Sequence, residues 1–109
     1  MKYGLREDLI QKIQNIFEAF PQVNKAILYG SRAKGNFKPG SDIDITLKGD
    51  GLNLSMLNKI SLQLDELYLP YTFDLSVFNH IDNKELVEHI DRVGIEFYSR
   101  WKENPNDAI

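Results

Sequence analysis

YGSRAKGNFKPGSDIDITL, residues 29–47, links the end of one apolar run to the start of another. Upstream, Ala26-Ile27-Leu28-Tyr29 stops at Gly30-Ser31. Downstream, Asp42 and Asp44 open an alternating run. Residues two apart on a strand point the same way, so these two carboxylates share a face, and Ile43, Ile45 and Leu47 take the other. Adjacent carboxylates repel unless a cation sits between them, and oxygen-only donors favour magnesium or manganese. Gly30 permits a tight turn at the strand end. Ser31 then begins a helical turn over Arg32 to Lys34 whose free N–H groups point at an anion, with Arg32 and Lys34 adding positive charge. An anion cradle and a metal-binding pair, with ten residues between Ser31 and Asp42, suit a metal-bound nucleoside triphosphate.

Gly30-Ser31, the Arg32-Ala33-Lys34-Gly35 that follows, Ser41 and then Asp42-Ile43-Asp44 resemble the signature of the polymerase-beta-like nucleotidyltransferase superfamily. The short chain is similar to the minimal nucleotidyltransferase (MNT) family within it. The likeness is dense over Tyr29 to Leu47 and thins elsewhere to a pattern of helices and strands. Gly30 and Gly35 also have the glycine spacing of a P-loop, but Asn36 and Phe37 stand where that motif needs Lys and Ser or Thr. No G-x-G-x-x-G is present. An isolated Asp-x-Asp reads as a solvated turn entering a strand; the Gly-Ser pair upstream reverses that reading here.

The 109 residues are read as one domain of ordinary globular composition, with 42% hydrophobic and 27% charged residues. A net charge of −3 argues against general nucleic-acid binding and confines any basic surface to Arg32, Lys34 and Lys38. The absence of cysteine excludes disulfides and thiolate metal sites. Arg6, Glu7 and Asp8 interrupt any signal-peptide core, and no apolar run approaches membrane-spanning length. A cytoplasmic protein with no membrane association is the simplest expectation.

Periodicity predicts a helix over residues 5–20, with Leu9, Ile13, Ile16, Phe17 and Phe20 inward and Pro21 as its stop. A strand follows over Lys25 to Tyr29, a turn over Gly35 to Gly40, and a second strand over Asp42 to Lys48. After a turn at Asp50-Gly51, a second long helix is expected over 53–68, with Leu57, Ile60, Leu64 and Leu67 inward. A third strand runs from Tyr71 to Phe78. Asp82 and Glu85 have capping-box spacing before a last helix that starts near Asn83 and carries Leu86, Ile90, Val93, Phe97 and Trp101. The polar tail 103–109, with Pro105, is expected to fray. The order is α-β-β-α-β-α: a two-layer α/β (α+β) fold with a short mixed sheet and helices on one face. A helix between the second and third strands favours a parallel pair, and a loop between the first and second favours an antiparallel one. Gly30-Ser31, Asp42, Asp44 and Asp74 then meet at one sheet edge, above a polar face left open for substrate.

Asp74 sits mid-strand, where aspartate is disfavoured. The resemblance makes it the third carboxylate. Asp65 and Glu66 read as solvated, Lys38 as solubilising, and His80 and His89 as ordinary surface or helix residues. Phe97, Tyr98 and Trp101 read as core, with a partner surface as the alternative. The resemblance implies a magnesium-dependent nucleotidyltransferase that moves a nucleoside monophosphate from a triphosphate, ATP foremost, to an acceptor hydroxyl and releases pyrophosphate. It makes Asp42, Asp44 and Asp74 catalytic and metal-binding, for two Mg2+ ions with nucleotide bound. Gly30 and Ser31 cradle phosphates, Arg32 and Ser41 are further nucleotide-binding residues, and Asp74 also orients or deprotonates the acceptor. A domain this small requires a homo- or hetero-oligomer to complete its site. Proteins of the MNT family pair with a helical HEPN-domain toxin, so the resemblance implies an antitoxin that adenylylates its partner's tyrosine. The alternative is a non-catalytic nucleotide-binding module that neutralises a partner by occlusion.

Overall fold

The computed structural model describes residues 1–101; the tail expected to fray at 103–109 lies outside them. Among the described residues four strands and four helices alternate: α1 (Glu7–Glu18), β1 (Lys25–Tyr29), α2 (Gly30–Lys34), β2 (Ile43–Lys48), α3 (Leu54–Asp65), β3 (Phe73–Val77), α4 (Lys84–Val93) and β4 (Ile95–Ser99), with a 3-10 turn at Phe78–His80. The sheet order is β3-β2-β1-β4. As expected, β1 pairs antiparallel with β2, and β2 pairs parallel with β3 across the α3 crossover.

Alternation on the strands decides which layer goes where. Ala26 and Leu28 of β1 and Ile43, Ile45 and Leu47 of β2 point to one side and are fully buried. α1 brings Leu9, Ile13 and Phe17 to that side, and α3 brings Ile60 and Leu64, in one continuous core. Acidic Glu7 and Asp8 in the first turn of α1 suit the positive end of its dipole. Asn53 caps α3 by accepting the Met56 N–H at 2.9 Å.

The expected last helix is corrected in its second half: it ends at Val93, and Ile95–Ser99 form β4, antiparallel to β1. Gly94 breaks the helix in an extended conformation, and its backbone lies so close to Ile27 that a Cβ would sit 2.7 Å from the Ile27 side chain. The strand covers what would otherwise be an unpaired edge of β1. A register shift beside Ala26 and Ile27 lets Phe97 and Tyr98 both be buried. Trp101, expected in the core, is 64% exposed. The helix start also moves by one residue: the Asn83 side chain, rather than that of Asp82, accepts the Leu86 N–H at 3.2 Å.

Helices on one face hold for α1 and α3 but not for α4. The α4 residue His89 lies edge-on to Tyr29, and Gly94 abuts Ile27. Tyr29 and Ile27 alternate with the core residues Leu28 and Ala26, so α4 rests on the opposite side of the sheet. It covers β1 there and leaves the polar side of β2 and β3 as the floor. Among the described residues, no helix is long and apolar enough to cross a membrane.

Candidate active site

β1 delivers the chain to Gly30 through an extended Tyr29, and Gly30 turns it into α2 at φ +74°. That left-handed conformation suits glycine alone among residues without strain. A second constraint acts on the same atom: a Cβ at Gly30 would strike Asp44 Oδ2. Gly35, also left-handed at φ +85°, closes α2 as its N–H donates to the Ser31 carbonyl at 2.9 Å.

Sheet register then assembles the rest. Asp44 is paired with Tyr29 on β1 and with Asp74 on β3, so all three project from neighbouring positions on one face. Asp42 immediately precedes β2, two residues before Asp44. Asp44 is half-buried, whereas Asp42 and Asp74 are exposed. Burial, then the charges of Asp74 and Asp42, push the Asp44 carboxyl up to about 6, against a smaller opposing pull from Arg32. Among the described residues, no three acidic, histidine or cysteine side chains converge closely enough to form a ready-made ion cage. The three carboxylates share one locality without closing on a common point, as like charges without a counter-ion do.

Beneath them the floor is polar and paired. The Ser76 hydroxyl donates to Thr46 Oγ1 at 2.9 Å, and Thr46 is fully buried. The buried Tyr29 phenol is raised by desolvation first and then by Asp74, with a hydrogen bond to Ser76 opposing.

Arg32 and Ser41 act on the loop between the two motif halves. Arg32 is 2% exposed. Its Nε–H and Nη2–H donate to the Ser41 carbonyl at 3.1 and 2.8 Å, and its Nη1–H donates to the Tyr3 carbonyl at 2.8 Å. The guanidinium stacks between Phe37 and Tyr71, 5.2 and 4.9 Å from their centroids. Ser41 Oγ accepts the Lys38 N–H at 2.9 Å and closes the Lys38–Ser41 turn. The cation expected near a ligand is thus a strut that ties α2 to the residue before Asp42.

His89 joins this site although its sequence position reads as ordinary. Its Nε2 accepts the Gly30 N–H at 3.3 Å, and its ring meets Tyr29 edge-on at 6.2 Å. The one local signal is its spacing: His89 is three residues after Leu86 and four before Val93, on the inward stripe of α4.

A mixed sheet that carries a glycine turn against one carboxylate, with two more beside it, defines a nucleotidyltransferase of the polymerase beta fold. The family described as Polymerase beta, Nucleotidyltransferase matches the chain over residues 11–103, and the chain belongs to that family. No curated protein matches it. Among solved structures, a toxin–antitoxin complex with AMP-PNP is similar at 21% identity and a TM-score of 0.67, over 94% of this chain and 78% of that one. A tri-AMPylated HEPN toxin in complex with an MNT antitoxin, from Shewanella oneidensis, is similar at 17% identity and a TM-score of 0.65, over 94% and 77%. The MntA–HepT toxin–antitoxin structure is similar at 17% and 0.64, over the same shares. At these identities the likeness establishes a shared fold.

Proposed function

We propose that this nucleotidyltransferase moves an adenylyl group from magnesium-bound ATP to a hydroxyl of a HEPN-domain partner, as the antitoxin of a toxin–antitoxin pair. The observation that carries the chemistry is the register that sets Asp44 between the Gly30 turn and Asp74. The partner and the adenylyl group are drawn from the similar complexes, one with AMP-PNP and one with a tri-AMPylated HEPN toxin. A pairing of this kind, or a homo-oligomer, supplies the acceptor side of the site.

The donor set fits a divalent cation: oxygen-only, acidic, and with Asp44 raised to about 6 by burial first and then by the charges of Asp74 and Asp42, a repulsion that a cation would relieve. Asp42, Asp44 and Asp74 are the residues that would hold it. Divalent ions held there would neutralise phosphate charge and stabilise the negative charge that develops at the reacting oxygens. The Gly30 turn presents the Ser31 backbone N–H at the start of α2 to the β- and γ-phosphates. Arg32 and Ser41 serve the nucleotide indirectly, by fixing the loop that brings Asp42 to it. The acceptor oxygen bonds to the α-phosphorus as the bond to the β-bridging oxygen breaks. Pyrophosphate leaves with that oxygen, and the Asp74 carboxylate orients the acceptor and takes its proton.

Two substitutions test the assignment. Asp44→Asn is expected to abolish magnesium-dependent nucleotide binding. Asp74→Asn is expected to keep nucleotide affinity while turnover falls on the order of 10², the scale for losing a positioned base. Unchanged magnesium-dependent binding in Asp44→Asn, or equal turnover in Asp74→Asn and the parent, contradicts the assignment.

A further inference from the structure

The turn at Gly30 brings the two halves of the site into contact, yet little within its own segment fixes it. Glycine has no preferred basin to hold φ at +74°. The helix that follows has only five residues, too few to be stable by itself. The Gly30 N–H also falls at the start of α2, where a donor has no partner within the helix. The restraint comes from α4, fifty-nine positions away in sequence, where His89 Nε2 accepts that N–H. Accepting it requires an unprotonated Nε2, so the imidazole carries its proton on Nδ1. The ring is held in turn by its edge-on contact with Tyr29 at 81°, on the residue that pairs with Asp44.

We propose that His89 is a positioning residue of this active site. It pins the Gly30 turn against the Asp44 carboxylate, so that the phosphate-receiving backbone and the carboxylates keep one relative placement. It acts through Gly30, with Tyr29 as its backstop. The proposal rests on the nucleotidyl-transfer reading for its consequence, but its physical content belongs to the nucleotide-free protein.

Two variants and two readouts test it. His89→Ala removes acceptor and ring; His89→Gln restores an acceptor oxygen at similar reach. In the nucleotide-free protein, His89→Ala is expected to shift the Gly30 amide resonance and speed its hydrogen exchange about tenfold, the scale of one net hydrogen bond. With nucleotide and acceptor, turnover is expected to fall on the order of tenfold or more, with a smaller change in KM, because displaced reactants react slowly even when bound. His89→Gln should recover both to within about threefold of the parent if one hydrogen bond is the cause. An unmoved Gly30 amide in His89→Ala overturns the proposal. So does a His89→Gln protein as impaired as His89→Ala, which would leave His89 a packing role only. If the parent protein shows no transfer, the functional reading fails alone, and the amide measurement still decides the role of His89.

Discussion

Asp44 is the residue on which electrostatics and architecture converge. Its carboxyl is raised from the ordinary 3.8 to about 6 by burial, then by Asp74 and Asp42. In the metal-free protein a raised carboxyl means that the folded state holds its proton more tightly than the unfolded chain. Asp44 therefore carries no penalty below about pH 4. As pH climbs from about 4 to about 6, the unfolded chain releases the proton first and folding stability is lost; above about 6 the loss is complete and constant. Asn at this position has nothing to titrate. The melting temperature of Asp44→Asn minus that of the parent, in chelator, is expected to grow between pH 4 and pH 6 and then level off. A difference that stays flat across that range would show that neither burial nor its neighbours' charge raises Asp44. The site residues that were legible in sequence owed this to local constraints. Alternation placed Asp42 and Asp44 on one face, and the Gly-Ser pair placed the turn. Arg32 was legible as a cation, but its burial under Ser41, Tyr3 and Tyr71 depends on segments distant in sequence.

At the level of elements, the C-terminal third separates what sequence pattern can reach from what it cannot. Leu86, Ile90, Val93, Phe97 and Trp101 keep helical spacing across Gly94, yet the chain changes from α4 to β4 there. Spacing is a local signal, whereas β4 exists because β1 has a free edge and because Phe97 and Tyr98 reach Phe17 across the core. Arg100 completes that docking: its side chain donates to the Phe20 and Val23 carbonyls at 2.8 and 3.1 Å, fastening the end of β4 to the loop after α1. Gly94 itself was the available clue. Its backbone touches Ile27 and the Ile90 carbonyl, leaving no room for a side chain. Gly94→Val is expected to destabilise the protein by roughly 1–3 kcal/mol, the usual cost of overpacking, as measured by chemical denaturation. An unchanged denaturation midpoint would mean that α4 is not seated on β1. The same seating brings His89 to Gly30, and no pattern within α4 could have reported a partner on another element.

For the molecule as a whole, the sheet order β3-β2-β1-β4 sorts apolar and polar work onto opposite faces. α1 and α3 close the apolar face, and α4 covers only β1 on the other, so β2 and β3 present their carboxylates over an open floor. The fold class and the edge where the motif halves meet were legible before the structure, because they follow from connection lengths and strand alternation. The coverage of the second face by α4 was not, since it depends on the fourth strand. An open site explains why the proposed acceptor is a second protein. Trp101, beyond the end of β4, is a single exposed aromatic side chain. The central claim is nucleotidyl transfer to that partner. Its most direct measurement is incubation of the chain and a co-purified HEPN-domain partner with magnesium and ATP labelled at either the α- or the γ-phosphate. Covalent label on the partner from α-labelled but not γ-labelled ATP, abolished by Asp42→Asn and by Asp44→Asn, is the predicted result. Absence of α-label on the partner, or equal labelling with the two aspartate variants, would contradict it.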